Sequence, residues 1–202
     1  MFTALRATSL TLARFLQAQF EEEPSLGTLF GAGGGMKVSL NTPQEMVDEG
    51  TEGVSVWLYR IERDADRLNL PRERPSPNEV RRPALPLRLH YLITPITKAQ
   101  TDAGPETEQA LLGKTLQVFH DHPVLGPVDM RDDFRGTGRQ IAMRLESLGQ
   151  DEISRIWDAL GGSYQLSVSY EASLVTIDSA LVPETIAPVT VAVPEYLVRA
   201  QP

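Results

Sequence analysis

The residues best suited to chemistry lie in one stretch, QVFHDHPVLGP, at positions 117–127. His120 and His122, two of only three histidines, flank Asp121 there. Imidazole and carboxylate can ligate a divalent metal or pass a proton. Asp129, Asp132 and Asp133 follow closely and could add oxygen ligands. The spacing argues against this. Residues two apart on a helix do not share a face; three or four apart they do. There is no H-E-x-x-H, and the third histidine, His90, belongs to a different element. A helix end explains the stretch more simply. The last carbonyls of a helix lack partners and favour cationic or hydrogen-bonding side chains, and Pro123 stops the helix from continuing.

Other constellations also fall short. In LFGAGGGMKVSL, counting from Gly31 puts Met36 where a Walker loop needs its second glycine, and Lys37 is followed by Val38 rather than a hydroxyl. Dinucleotide spacing fails at the same position, and MKVSL reads as a strand where a helix should start. No G-x-S-x-G elbow occurs. The absence of cysteine excludes disulfides, thiolate nucleophiles and cysteine metal sites. Acid pairs such as Asp132–Asp133 fall in loops, with no spacing that singles out a catalytic couple. Trp57 and Trp157 sit within apolar patterns, as core or interface anchors do. The sequence therefore predicts no cofactor, no metal and no enzyme, and points to a protein that works by contact.

Composition narrows the kind of contact. The 202 residues suit one domain with a tail, and 41% hydrophobic content is enough for a core. A formal net charge of −8 argues against a nucleic-acid partner, which needs clustered Lys and Arg. No apolar run approaches a membrane span, so no direct membrane insertion is expected. Arg6 and Arg14 interrupt the N-terminal apolar residues, unlike a signal peptide, so cytoplasmic folding is expected.

The elements that must carry any site follow from periodicity. Residues 2–20 read as a helix through Leu5, Leu12, Leu16 and Phe20, with Phe2 and Phe15 nearby. A strand is expected at Met36–Leu40, and a short helix at 43–50 with Thr42 as cap and Pro43 at its first position. Val54–Ile61 and Leu85–Thr94 read as strands. In the second, Leu87, Leu89, Tyr91 and Ile93 share one face, and Arg88 and His90 the other. Between them, residues 62–83 are rich in Arg, acids and Pro and read as a solvated connection. Arg72, Arg74, Arg81 and Arg82 mark it as a candidate contact surface. Glu106–His120 reads as an amphipathic helix, Arg139–Leu148 as a strand, Asp151–Leu160 as a helix ended by Gly161–Gly162, and Tyr164–Ile177 as a long strand. Residues 1–179 form the expected domain. Residues 180–202 read as an extended tail in which Val189, Val191, Val193 and Tyr196 are candidate contact residues. Interspersed helices and strands without regular alternation predict an α+β fold, a mixed and mainly antiparallel sheet packed with helices.

One ordered set of motifs is specific: VSVWLYRIERDADRLN, then LPLRLHYLITPI, TEQALLGKTLQVFHDHPVL and IWDALGGSYQLSVSYEASLVTID. Asn69, Leu87–Leu92, Phe119 with Pro123–Leu125, and Trp157, Leu160, Gly161, Tyr164, Ser167 and Tyr170 carry it. Across residues 3–178 it resembles the cap, or tail-terminator, proteins of extracellular contractile injection systems, which are phage-tail-like particles. The family more often has Pro-Ser near Gln165–Ser167, and some members carry a further C-terminal domain. The resemblance implies a tail-terminator-like fold. It also implies a homo-hexameric ring, with the sheath protein and the inner tube protein as partners. That ring would close the end of tube and sheath distal to the baseplate, stop polymerisation and couple sheath to tube. Assembly would be cytoplasmic. The alternatives are a neck or baseplate adaptor of a similar particle, and a metal-dependent enzyme using His120, Asp121 and His122. The tail, especially Ile186–Val198, is expected to add a strand to exposed edges of the terminal ring.

Overall fold

The computed structural model describes residues 1–69, 71–76, 78–98 and 103–187. Its centre is a six-stranded sheet in the order β1-β2-β5-β8-β7-β6. These strands are β1 (Lys37–Ser39), β2 (Gly53–Arg63), β5 (Leu85–Ile96), β6 (Val124–Leu125), β7 (Ile141–Glu146) and β8 (Val168–Ile177). Only β1 and β2 run parallel; every other pair is antiparallel. The expected α+β, mainly antiparallel fold is the one observed.

Two long helices cover one face of this sheet. α1 (Ala4–Glu22) packs on β1, β2 and β8, and α4 (Ala103–Asp121) packs on β5 and against α1. Leu12, Leu16 and Phe20 of α1 are fully buried, as its periodicity predicts, each stabilising the fold by roughly 1.5–3 kcal/mol. Its N-terminal half differs from expectation. Phe2 is exposed, and the buried residues there are Ala4, Ala7, Thr8 and Thr11. Small side chains let the helix lie close to the sheet. The Thr8 and Thr11 hydroxyls donate to the carbonyls of Ala4 and Ala7 at 2.8 and 2.7 Å, so neither of these hydroxyls is orphaned. The Ser9 and Tyr91 hydroxyls meet at 2.9 Å across the layer, and burial pushes the Tyr91 phenol well above its ordinary pKa.

Shorter elements complete the packing. α2 (Gly27–Phe30) is a single turn after α1, and α3 (Pro43–Asp48) packs on β2 and β5. Thr42 caps α3 as expected. Its hydroxyl accepts from the Glu45 amide at 3.2 Å, while the Glu45 carboxylate accepts from the Thr42 amide at 2.8 Å. α5 (Gln150–Leu160) buries Trp157 and ends at Gly161, whose φ of +70° suits glycine. At the start of β2, Gly53 adopts φ +133°, and a side chain there would meet the Lys37 carbonyl at 2.0 Å. The parallel β1–β2 contact depends on that glycine.

The segment read as a solvated connection is partly ordered structure. β2 extends to Arg63, a 3-10 turn covers Ala65–Arg67, and β3 (Glu73–Ser76) and β4 (Glu79–Arg81) form a hairpin. β9 (Glu184–Thr185), in the segment read as tail, pairs antiparallel with β4 to give a separate three-stranded sheet. Strands this short, with mostly exposed residues, leave no hydrophobic alternation for a sequence reading to detect. The last long strand also starts later than its pattern suggests. β8 begins at Val168, and Tyr164 and Leu166 are exposed ahead of it.

Candidate functional site

The stretch QVFHDHP closes α4 and turns into β6. His120 and His122 are both exposed. The His122 amide donates to the Val118 carbonyl at 2.9 Å, and its ring stands edge-on to Phe15 at 5.4 Å between centroids. The acids weighed as ligands are engaged elsewhere. Asp129 accepts from the Gly126 amide at 2.9 Å, and Asp132 and Asp133 face Arg6 at 2.8 and 3.7 Å. Gln117, Phe119, His120 and Pro123 instead line an open groove of about 800 Å³ with Leu116, Met143, Leu145 and Tyr170. The stretch thus contributes to an apolar surface between α4 and β7.

The third histidine, which sequence reading set apart on its own strand, is at the centre of a charged cluster. Backbone irregularities build it. In β2 the register shifts between Leu58 and Arg60, with Leu58 opposite Tyr91 and Arg60 opposite His90. Tyr59 is the extra residue of a bulge, which turns Arg60 and Glu62 to the face away from α1. A second shift, where Leu87 pairs Val175 and Leu89 pairs Ala172, includes Leu174 at φ +66°. Cross-strand partners share a face. Arg60, His90, Glu171 and Arg144 therefore form one row across β2, β5, β8 and β7. Glu62 and Arg88 pair beside it, and Ser169 pairs with Glu146.

His90 and Glu171 are 3% and 6% exposed. His90 Nδ1 lies 2.9 Å from Glu146 Oε1, and Nε2 lies 3.4 Å from Glu62 Oε2. Glu171 Oε2 accepts from Arg144 at 3.1 Å and faces Arg88 at 3.7 Å. Arg88 also reaches Asp64 at 3.0 Å and Asp66 at 2.5 Å. The Ser169 hydroxyl donates to Glu146 at 2.7 Å and meets the Tyr59 hydroxyl at 3.0 Å. The hydrogen bond from Arg60 holds the Glu62 carboxyl below its ordinary pKa, and burial raises the Tyr59 phenol. Bonding to Asp66 raises the Arg88 guanidinium.

His90, Glu146 and Glu171 are the one group of acids and histidine with metal-like spacing among the described residues. Their geometry fits hydrogen bonding better than coordination. Two donors on one tetrahedral zinc stand roughly 3.3 Å apart, but His90 and Glu146 approach to 2.9 Å. Glu171 is already taken by two guanidinium groups. The cluster is a network of paired charges that ties four strands together on the face opposite the long helices.

The arginines predicted as a contact surface lie on or beside the small sheet. Arg72, Arg74, Arg81 and Arg82 are all exposed. Arg72 approaches Glu184 of β9 at 3.9 Å. Glu62, Asp64, Asp66, Glu73 and Glu79 are interspersed with these arginines and with Arg63 and Arg67, so this end carries charges of both signs. Val189, Val191, Val193 and Tyr196 lie outside the described residues. Among the described residues no helix is long and apolar enough to cross a membrane.

Comparison with known proteins gives a consistent picture. The family model described as the Pvc16 N-terminal domain matches residues 7–191. The sheath/tube terminator of an extracellular contractile injection system, PVC, in its extended state, shares the fold with a TM-score of 0.61 and 16% identity, covering 96% of this chain and 63% of that one. The tube-terminating cap of the anti-feeding prophage gives 0.56 and 16%, covering 97% and 61%. The chain thus spans less than two thirds of the length of either. No curated protein matches the sequence.

Proposed function

The chain belongs to the Pvc16 N-terminal domain family, and on that premise we propose that it caps a contractile injection particle. It closes the end of tube and sheath distal to the baseplate and stops their growth. The observation that supports this most is the shared fold, which runs through nearly the whole chain in two proteins named as terminators of such structures. The role is structural rather than catalytic.

A terminator needs one face that matches the last ring of a polymer and one that offers no further site. A rigid sheet with helices on one side and a charge network on the other suits a subunit whose two sides meet different surroundings. The exposed end at Arg72, Arg74, Arg81 and Arg82 is the proposed contact with a neighbouring copy or the tube. The family resemblance implies six copies, with sheath and inner tube proteins as partners and assembly in the cytoplasm. Electron microscopy of particles from a strain lacking this chain tests the reading. Assemblies of uncontrolled length, or assemblies that fall apart, are expected. Particles of normal length with a closed distal end would overturn it.

A further inference from the structure

Among the described residues, the large sheet leaves one long edge open. β1 pairs with β2 only at Gly53, Val54 and Ser55, yet β2 continues to Arg63. Among the described residues no strand pairs with the outer edge of β2 from Val56 to Arg63. Backbone N–H and C=O groups alternate between the two sides of a strand, so about half of those residues turn theirs outward. Trp57, Leu58 and Tyr59 along this edge are only half-buried, and Ile61 is 49% exposed. A long, partly apolar edge is a template for another strand. The opposite side of the sheet offers less. Beyond Met143, whose amide donates to the Pro123 carbonyl, β7 has only Arg144, Leu145 and Glu146 left.

The same chain carries a segment suited to that edge. β4 runs toward the large sheet, which the chain enters at Leu85. β9 is antiparallel to β4, so Glu184–Ile186 run away from the end of β4 that leads to Leu85. The chain passes Asn78, whose carbonyl accepts from the Ile186 amide at 2.8 Å. Residues 188–202, PVTVAVPEYLVRAQP, follow outside the described residues. Val189, Val191 and Val193 recur at the period of a strand with one apolar face. Pro188 and Pro194 bracket them, and proline is tolerated at strand ends rather than within.

We propose that residues 189–193 of one copy add as a strand to the outer edge of β2, Val56–Arg63, of a second copy. The direction in which the chain leaves β9 favours a second copy over the tail's own β2. The bulge at Tyr59 and the charges of Arg60, Glu62 and Arg63 make the edge selective, since both devices discourage indiscriminate pairing. Donor and acceptor are different surfaces, so the contact is heterologous and, repeated, closes a ring or propagates. It requires copies to meet each other and does not depend on where in a particle they sit, so it and the cap reading fail separately.

The cysteine-free chain makes the test direct. Full-length acceptor Ile61→Cys, carrying a size tag, is mixed with full-length donors Thr190→Cys, Val191→Cys or Ala192→Cys and mildly oxidised. Residues opposite each other on adjacent strands have Cβ atoms about 4.5–5.5 Å apart, near disulfide reach. The expected result is a mixed dimer whose yield is several-fold higher at alternate tail positions, either at 191 or at 190 and 192. Replacing the acceptor by Val128→Cys, on an exposed loop, should remove it. Equal yields at the three positions, or none above that control, would overturn the proposal. So would a double variant, Ile61→Cys with Val191→Cys, that closes only on itself.

Discussion

Replacing Glu171 by Gln tests whether the charge cluster holds the sheet together. The carboxylate is 8% exposed and lies 3.1 Å from Arg144 and 3.7 Å from Arg88. Glutamine keeps the shape and removes the charge. Breaking one side of a fully buried pair costs about 3–5 kcal/mol, and an exposed pair is worth about 0–1 kcal/mol. This site lies between those limits. Arg88 keeps Asp64 and Asp66, whereas Arg144, 69% exposed, can turn to water. The expected loss is about 1–3 kcal/mol. At about 2–4 °C per kcal/mol for a domain of this size, Tm should fall by roughly 2–12 °C. Urea unfolding of the purified chain gives the free energy directly. Arg144→Gln should cost under about 1 kcal/mol. A Glu171→Gln variant within about 0.3 kcal/mol of the parent would show that the network is not a structural tie. Zinc should leave the parent's midpoint unchanged; a rise would mean that His90, Glu146 and Glu171 bind metal after all.

Three further outcomes follow from particular residues. Thr42→Ala removes one half of the α3 capping box and should cost about 1 kcal/mol in urea unfolding, with Thr42→Ser close to neutral. Leu174→Gly relieves a left-handed residue at φ +66° that is only partly buried, so it should be neutral or stabilising by up to about 1 kcal/mol, while Leu174→Val should destabilise. Glu62, whose carboxyl Arg60 holds below the ordinary value of 4.5, contributes stability that is fully present above that value and lost as pH falls through its lowered folded pKa. Glu62→Gln should therefore lower Tm at neutral pH, leave it nearly unchanged below that folded pKa, and so flatten the acid side of the Tm–pH curve.

The sequence was legible where one periodic signal dominated. α1, α3 with its Thr42 cap, β5, α4 and α5 with its Gly161 stop all lie within a few residues of their expected bounds. The resemblance carried by Trp157, Gly161 and Tyr170 pointed to the family that the comparison then gave. Register was not legible. The bulge at Tyr59 sets which face Arg60 and Glu62 occupy, and nothing local in VSVWLYRIER reveals it. His90 was placed opposite the core face, as its alternation required, but its burial comes from Glu62, Glu146 and Glu171 on three other strands. One signal was available in retrospect. Arg88, His90, Arg144, Glu146 and Glu171 all sit at positions within predicted strands, where unpartnered charge is costly. The hairpin at Glu73–Arg81 was hidden because its strands are short and only Val80 of β4 is buried, which leaves no alternation to read.

The most direct test of the cap reading is to locate the chain in intact particles, by cryo-electron microscopy with a bound antibody fragment against a tag on its exposed surface. The account predicts label at the end opposite the baseplate, closing both tube and sheath. Label at the baseplate end, or along the sheath, would contradict it.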